Sequence, residues 1–509
     1  MPESSSIDRS QKLIKTLAGG AFWITLGMFI SRILGYAIRA AIAHFYGVES
    51  YGIINTAQSL MMIFAIFSLA GLNTGLPRQL SFYRARGEFH ISGKQAFSAF
   101  KLGSVFGLLG GALLFFFADK LATDLFRMAK LGIYIKIFAI GVPLFVLVEL
   151  NTSIFKGLKQ ISRFTFYHDI LRFALIFFII IILGIIQGEF LWVCWTYPFT
   201  YFLIIFITFF IIIRKMNLFS RDKLSFTRTD KELLWFSVPV MLSGIFWVLL
   251  PRTDTIIIGG FLDQESVGLY NAAVPIGQLI LIVRQAFSPI ILPLFTELIS
   301  KNEKEQLSLL YYISAKWTMI IALPIFIPMI FLSRFFIWFV FGREFLAAAP
   351  ILQIVVIGYF IHTIVGPTSN LLIISGKTRQ NMINSLVAFF VSICLNVILI
   401  PRLHLLGAAF ASLSAYLVFN VLCFIQVCKE LKVQPFRWLH LKFILAGILP
   451  IPILLSSSVF KSDAISIIIY GLFYLLLLIV FKVFKAEDKL IFEIVMKRLR
   501  RKTVMDNLD

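Results

Sequence analysis

Charge is scarce in this 509-residue sequence: Asp, Glu, Lys and Arg make up 14% of it, against about a quarter in ordinary globular chains. No polar stretch is long enough to fold as a soluble domain, so the three or four such domains that the length would allow are excluded. Cysteine is nearly absent. Cys194, Cys394, Cys423 and Cys428 all lie in or at the ends of apolar segments, and their spacing matches neither a metal site nor a disulfide framework. They read as small core residues. The six histidines (His44, His90, His168, His362, His404 and His440) are scattered, and no Asp-X-Asp pair occurs. Acid–base or metal-dependent enzymes need such groups brought together, so the chain reads as a non-enzyme with neither metal nor cofactor.

What is abundant is apolar: 59% of residues are hydrophobic and 55 are Phe. A helix crosses the hydrocarbon core with about 20 apolar residues. Runs of that size or longer fall near 16–44, 51–77, 95–118, 131–155, 164–186, 190–213, 233–259, 266–298, 307–332, 347–375, 381–400, 406–427, 439–456 and 464–481. The fold class is therefore all-α: a polytopic membrane protein of about fourteen transmembrane helices. The first run follows Arg9, Lys12 and Lys15 and is too long for a cleavable signal, so it reads as a retained helix. Lys and Arg stay on the cytoplasmic side. The 214–232 loop holds six of them and the 482–509 tail eight, whereas the seven predicted outer loops hold seven in all. Both ends are thus predicted to be cytoplasmic. Topology accounts for most of the formal charge of +21, and nucleic acid is not a partner.

The sequence repeats itself. Glu49-Ser50-Tyr51-Gly52-Ile53-Ile54-Asn55-Thr56-Ala57 follows the first run, and Glu265-Ser266-Val267-Gly268-Leu269-Tyr270-Asn271-Ala272-Ala273 follows the seventh. The same offset of 216 residues sets Leu76-Pro77 on Leu292-Pro293. Phe155-Lys156-Gly157-Leu158-Lys159-Gln160 and Ser375-Gly376-Lys377-Thr378-Arg379-Gln380 form a second similar pair. These matches predict two six-helix, pseudo-symmetric bundles in parallel orientation. The organisation is then a cytoplasmic N-terminus (1–15), a first bundle (16–213), a basic cytoplasmic linker (214–232), a second bundle (233–427), two additional C-terminal helices (439–481) and a basic cytoplasmic tail (482–509).

Three stretches carry a family resemblance: Ser31-Arg32-Ile33-Leu34-Gly35, Phe45-Tyr46-Gly47-Val48-Glu49-Ser50-Tyr51-Gly52 and Gly71-Leu72-Asn73-Thr74-Gly75-Leu76-Pro77-Arg78. With the duplicated bundle, the chain resembles the multidrug/oligosaccharidyl-lipid/polysaccharide (MOP) exporter superfamily, and within it the Wzx-type flippases of lipid-linked oligosaccharides. Ser31–Gly35 is also similar to the helix-one arginine motif of lipid II flippases. Here the second arginine, Arg39, falls one position later, and Gly52–Asn55 lacks their acidic residue. The resemblance implies a cell-membrane flippase that moves a polyprenyl-(pyro)phosphate-linked oligosaccharide from the inner to the outer leaflet by alternating access. Its partners would be that lipid, the surrounding membrane lipid, a coupling ion (H+ or Na+) and other polysaccharide-assembly proteins. The alternative is a MATE-like multidrug/cation antiporter.

A charge near mid-bilayer costs at least about 2.5–3.5 kcal/mol and generally faces a cavity or a partner. Eight of the cations inside the predicted spans are Arg32, Arg39, Lys101, Lys136, Arg172, Arg252, Arg284 and Lys316. The three lysines lie nearer helix ends, where their stems can snorkel to the interface. Arg32 and Arg39 are seven apart and share a helical face. Arg252, less the repeat offset, maps to position 36 on that same face. Arg32, Arg39, Arg252 and Arg284 are therefore the candidates to line a cavity, where guanidinium would neutralise the phosphate of the implied lipid. Few acids are intramembrane, among them Glu149, Asp169 and Asp254. Glu149 and Asp254 are candidates for the coupling ion or for an ion pair, and arginine outnumbers acid, which disfavours the antiporter. The second half is rich in proline, which kinks helices.

Overall fold

A computed structural model describes residues 3–215, 227–456 and 462–484. Residues 216–226 of the basic linker and 485–509 of the basic tail lie outside the described residues. Among those described, the chain is helical and contains no strand. In order, the helices are α1 (Glu3–Leu69), α2 (Leu72–Ala85), α3 (Phe89–Lys120), α4 (Leu131–Gly157), α5 (Ile161–Thr165), α6 (Arg172–Ile185), α7 (Phe190–Lys215), α8 (Arg228–Phe261) and α9 (Gln264–Gln278). They continue as α10 (Leu281–Ser300), α11 (Lys304–Phe331), α12 (Ser333–Phe341), α13 (Ala349–Ile364), α14 (Thr368–Ile374), α15 (Thr378–Leu431), α16 (Leu439–Ile448), α17 (Ile451–Leu455) and α18 (Asp463–Val480). A π-helical turn, Phe166–Leu171, joins α5 to α6.

Among the described residues, nine helical stretches are long and apolar enough to cross a membrane, or ten if α9 and α10, bent by 43°, form one broken span. Two of the nine are compound. α1 holds two helices meeting at Gly47, whose φ of 78° with ψ of −178° suits a residue without Cβ, and α15 holds two meeting at His404. Several predicted spans prove to be interrupted. The 51–77 run breaks at Ala70 and Gly71, both left-handed, and resumes as α2 through Ala85. The 439–456 run divides at Leu449-Pro450, where proline supplies no N–H to the helix ladder.

Outward faces are apolar. On α6, Phe178, Ile182 and Ile185 are 60%, 57% and 70% exposed, and on α18 Ile468, Leu472 and Ile479 are 63–65% exposed. Exposure on that scale suits lipid tails rather than water. The protein is a polytopic all-α membrane protein. Of the cysteines, Cys194 and Cys423 are buried, but Cys394 is exposed and Cys428 only half-buried. Thiols at a lipid-facing surface need no core around them.

The chain divides into two compact units. The first comprises Met1–Pro275, Ile337–Ile351 and Met382–Ala415; the second comprises Ile276–Phe336, Leu352–Asn381 and Tyr416–Asp509. In the first unit the repeated segments pack against each other reciprocally. A Cβ on Gly52 would lie 1.7 Å from the Gln264 carbonyl oxygen, and one on Gly268 would lie 2.3 Å from that of Val48. Gln264 and Gly268 are Val48 and Gly52 displaced by the 216-residue offset, so each copy makes the other's contact. Asn55 donates to the Tyr51 carbonyl at 2.7 Å, and Asn271 donates to that of Val267 at 3.0 Å. The repeat is thus expressed in backbone approach and in side-chain hydrogen bonding alike. Tyr51 then packs on Phe341 and Phe345, with ring centroids 5.6 and 5.9 Å away.

In the second unit, two fully buried tyrosines tie α18 to its neighbours. Tyr470 donates to the Gly447 carbonyl at 3.0 Å and Tyr474 to that of Ile320 at 2.9 Å. Lys316 is also fully buried and donates to the Val483 carbonyl at 3.1 Å. This corrects the expectation that Lys316 snorkels.

The same correction applies to Lys101. Its Nζ lies 2.6 Å from Asp230 Oδ2, and the Asp230 side chain is fully buried. Asp230 also closes a capping box at the start of α8, accepting from the Thr227 backbone N–H at 2.6 Å. Lys136 pairs with Asp119 at 2.6 Å, where the Asp119 side chain is 68% exposed. Burial pushes the Asp230 carboxyl up, but the Lys101 ammonium and the Thr227 amide outweigh it and hold the group below the usual carboxylate range. A pKa lowered by folding means stability that is complete above the unfolded value of about 3.9 and is lost as pH falls through the folded value. Detergent-solubilised protein should therefore lose thermal stability through this group only below about pH 4. Asp230→Asn should be less stable at pH 7, by about 1.5–3 kcal/mol for the charged hydrogen bond to Lys101, since the amide oxygen can still accept from Thr227, and should lose less on acidification. An identical acid limb in the variant would contradict the assignment.

Candidate functional site

The first unit contains a cavity of about 600 Å³, within the size range of small-molecule sites. Three of its lining residues are arginines on different helices: Arg39 from α1, Arg172 from α6 and Arg252 from α8. The 3.6-residue period explains how Arg39 arrives there. Gly35, Ile38 and Ile42 line the cavity with it, so one face of α1 is turned inward. The Arg39 guanidinium lies 5.8 Å from the Tyr36 ring, and Tyr36 is anchored by donating to the Pro275 carbonyl at 2.6 Å. Neither Arg39 nor Arg252 has a carboxylate or hydrogen-bond partner among the described residues. A guanidinium carries five N–H donors, so the two present up to ten to whatever occupies the cavity.

A second part of the wall is built differently. Glu149 on α4, His168 on the π-helical turn and Arg172 at the head of α6 all line the cavity. His168 Nε2 is 2.9 Å from Glu149 Oε1, and its Nδ1 is 2.7 Å from Asp169 Oδ1. Arg172 Nη1 reaches the same Glu149 oxygen at a longer 3.5 Å and lies near the Phe145 and Phe173 rings. Phe164 stacks on the imidazole at 4.8 Å. The π-helical turn presents consecutive residues, His168 and Asp169, to this cluster, and such irregular turns recur at functional sites.

Glu149 was legible as a candidate for pairing, and it does pair. His168 was missed, because a lone histidine in an apolar run carries no signal. The available hint was its i,i+4 spacing to Arg172, an intramembrane cation on the same face.

Two of the four predicted cavity arginines are off this lining. Arg32 is half-buried on α1, about 10 Å along the helix axis from Arg39. Arg284 belongs to the second unit, where its buried Nε has no hydrogen-bond partner among the described residues. In the same unit His362 pairs with Asn420 at 2.9 Å.

Asp254 is 1% exposed and sits at the centre of a polar cluster in the first unit. It accepts from Ser412 (2.6 Å), Asn396 (2.7 Å), Ser392 (3.1 Å) and Tyr270 (3.1 Å). The partners come from α9 and α15, so the carboxylate does pair away from its own helix, through neutral donors. Asn396 Oδ1, beside it, is buried with no hydrogen-bond partner among the described residues. Among those residues no group of three or more His, Cys, Asp or Glu is placed to hold a metal ion.

A family model described as polysaccharide biosynthesis protein matches residues 17–299, and one described as MatE matches residues 239–398. Over 190 residues, 37% of its length, the chain is 30% identical to a probable low-salt glycan biosynthesis flippase of Haloferax volcanii. Over 126 residues, 24% of its length, it is 29% identical to the teichuronic acid biosynthesis protein TuaB of Bacillus subtilis. The matched stretches span 39% and 26% of those two relatives. In fold, the chain is similar to the lipid II flippase MurJ in an inward closed conformation, with a TM-score of 0.70 at 18% identity, covering 90% of this chain and 97% of that one. It is also similar to an inward-facing multidrug resistance MATE family transporter of the MOP superfamily, with a TM-score of 0.63 at 14% identity, covering 81% and 98%.

Proposed function

The chain belongs to the polysaccharide biosynthesis protein family, within the MOP exporter superfamily, and from that premise we propose that it is a flippase for a polyprenyl-(pyro)phosphate-linked oligosaccharide. One observation carries the reading: Arg39 and Arg252 line a single cavity, and neither has a hydrogen-bond partner among the described residues. An anion is the ligand such a pair accepts. Guanidinium meets phosphate through two parallel hydrogen bonds, and each charge-assisted bond contributes about 1.5–3 kcal/mol. The phosphate is the part of a lipid-linked glycan that hydrocarbon excludes most strongly, so neutralising it lowers the main barrier to crossing. The prenyl tail stays in lipid while the head passes through the cavity by alternating access, from the inner to the outer leaflet. A cationic drug would meet like charge here, which disfavours the antiporter reading. The chain accordingly transports and performs no chemistry on its substrate.

The remaining groups have subsidiary parts in this reading. Arg284 offers a further guanidinium in the second unit, and Arg32 extends the basic face of α1. Asp254 is the site for a coupling cation, because Asn396 Oδ1 and the hydroxyl oxygens around it could turn to ligate one beside the carboxylate. The protein resides in the cell membrane with both termini cytoplasmic, alongside other polysaccharide-assembly proteins. Reporter fusions after residues 230 and 509 should report the cytoplasm, and one after 262 the outside. A fusion at 509 that reports the outside contradicts the topology. The function itself is tested by the arginine substitutions taken up below, with outer-leaflet appearance of lipid-linked sugar as the readout.

A further inference from the structure

Resting on that reading, we propose that Glu149 selects the sugar next to the phosphate, accepting a hydrogen bond from a neutral sugar and repelling a uronic acid. The two oxygens of this carboxylate are not equivalent. Oε1 takes both His168 Nε2 at 2.9 Å and Arg172 Nη1 at 3.5 Å. Oε2 accepts no hydrogen bond among the described residues, and the side chain is 14% exposed where it lines the cavity. Asp169 holds His168 from behind at 2.7 Å, so the imidazole is oriented and in turn orients Glu149. Lys156, a further cation near this cluster, is turned onto the Phe164 ring at 3.9 Å. The result is a carboxylate fixed in direction, with one oxygen left without a hydrogen-bond partner among the described residues.

Glu149 shares its cavity with Arg39 and Arg252. A lipid phosphate held by the two arginines carries its first sugar into the same space. A hydroxyl or an N-acyl amide of that sugar can donate to Oε2, and the rings of Phe145, Phe173 and Tyr201 supply apolar faces for the pyranose. A sugar carboxylate there would face Glu149 with like charge, and like-charge juxtaposition suppresses wrong partners. At about 600 Å³ the cavity cannot enclose a long glycan, so discrimination falls on the sugar nearest the phosphate.

The test uses the full-length protein in nanodiscs, with binding measured for undecaprenol, undecaprenyl diphosphate, and undecaprenyl diphosphate bearing either N-acetylglucosamine or glucuronic acid. The wild type should prefer the N-acetylglucosamine lipid over the glucuronate lipid by about tenfold, and Glu149→Gln should bring that ratio close to one. His168→Gln keeps the charge but loosens its direction. It should preserve the ratio while losing the gain of the N-acetylglucosamine lipid over bare diphosphate. The proposal is overturned if the wild type binds both glycolipids alike, or if the ratio survives in Glu149→Gln. Should the wild type bind the diphosphate no better than undecaprenol, the phosphate reading falls and this one with it. Diphosphate binding without sugar discrimination sinks the present inference alone.

Discussion

Arg39→Ala and Arg252→Ala are each expected to cut the outer-leaflet appearance of lipid-linked sugar by about ten- to a hundredfold, the equivalent of one charge-assisted contact of about 1.5–3 kcal/mol. Membrane abundance should stay near normal. Neither guanidinium has a carboxylate or hydrogen-bond partner among the described residues, so truncation leaves no protein group newly unsatisfied there. It removes like charge from a cavity, which should if anything favour the unloaded fold. Arg→Lys at either position should rescue only in part, because an ammonium supplies charge without the planar fork. Lys136→Ala is the control, since its partner Asp119 is 68% exposed and surface pairs contribute about 0–1 kcal/mol. Flipping at the wild-type rate in both arginine variants would remove the basis of the phosphate site. Disappearance of both from the membrane would make the arginines structural. Lys101, by contrast, is unsuitable as a neutral control, because it pairs with a fully buried carboxylate.

The second large effect is expected at the reciprocal glycines. Gly52→Val and Gly268→Val should each destabilise the first unit by about 3 kcal/mol or more, at or beyond the upper end of ordinary overpacking. The obstacle in each case is main chain, the Gln264 carbonyl at 1.7 Å or the Val48 carbonyl at 2.3 Å from the new Cβ, and backbone cannot rotate away as a side chain would. Because the two contacts are related by the repeat, Gly52→Ala and Gly268→Ala should lower the unfolding temperature by similar amounts. Gly471, whose added Cβ would meet nothing within 4 Å, provides the comparison, and Gly471→Ala should be neutral or slightly stabilising. Thermal unfolding of detergent-solubilised protein measures all five. Wild-type unfolding temperatures for both valine variants would show that the repeated segments do not cross this closely.

Much of this was legible before any fold was known, and particular residues show why. The Glu-Ser-X-Gly-X-X-Asn repeat was readable because close backbone approach tolerates only glycine, and an asparagine bonding back four residues needs only its own helix. Both are local demands, so they leave a local mark in each copy. Arg39 and Arg252 were readable as a pair because a charge in an apolar run is costly wherever the run folds, and the offset put both on one face. His168 carried no comparable mark. Its role depends on Glu149, nineteen residues away on α4, and on a π-helical turn that no periodicity announces. Lys101 was misread as a snorkelling residue for the same kind of reason, since its carboxylate is supplied by a capping box 129 residues later.

By itself the sequence determined that this chain lives in a membrane, that its fold class is all-α, that it is internally duplicated and to which superfamily it belongs. The first two follow from hydropathy and helical period, which act over a single helix and are written in consecutive residues; the duplication was carried by the segments repeated at the 216-residue offset, and the superfamily by the resemblance of Ser31–Gly35, Phe45–Gly52 and Gly71–Arg78. Tertiary structure alone decided which charges meet. It set Arg39 and Arg252 in one cavity and Arg284 in another unit, gave Glu149 partners on only one of its two oxygens among the described residues, and surrounded Asp254 with four neutral donors. Those outcomes depend on how helices distant in sequence pack and rotate against one another. In a chain whose helices are apolar nearly all round, composition leaves that rotation undetermined, and it is settled by close contacts such as Gly52 against Gln264 and by the few buried hydrogen bonds that hydrocarbon cannot replace.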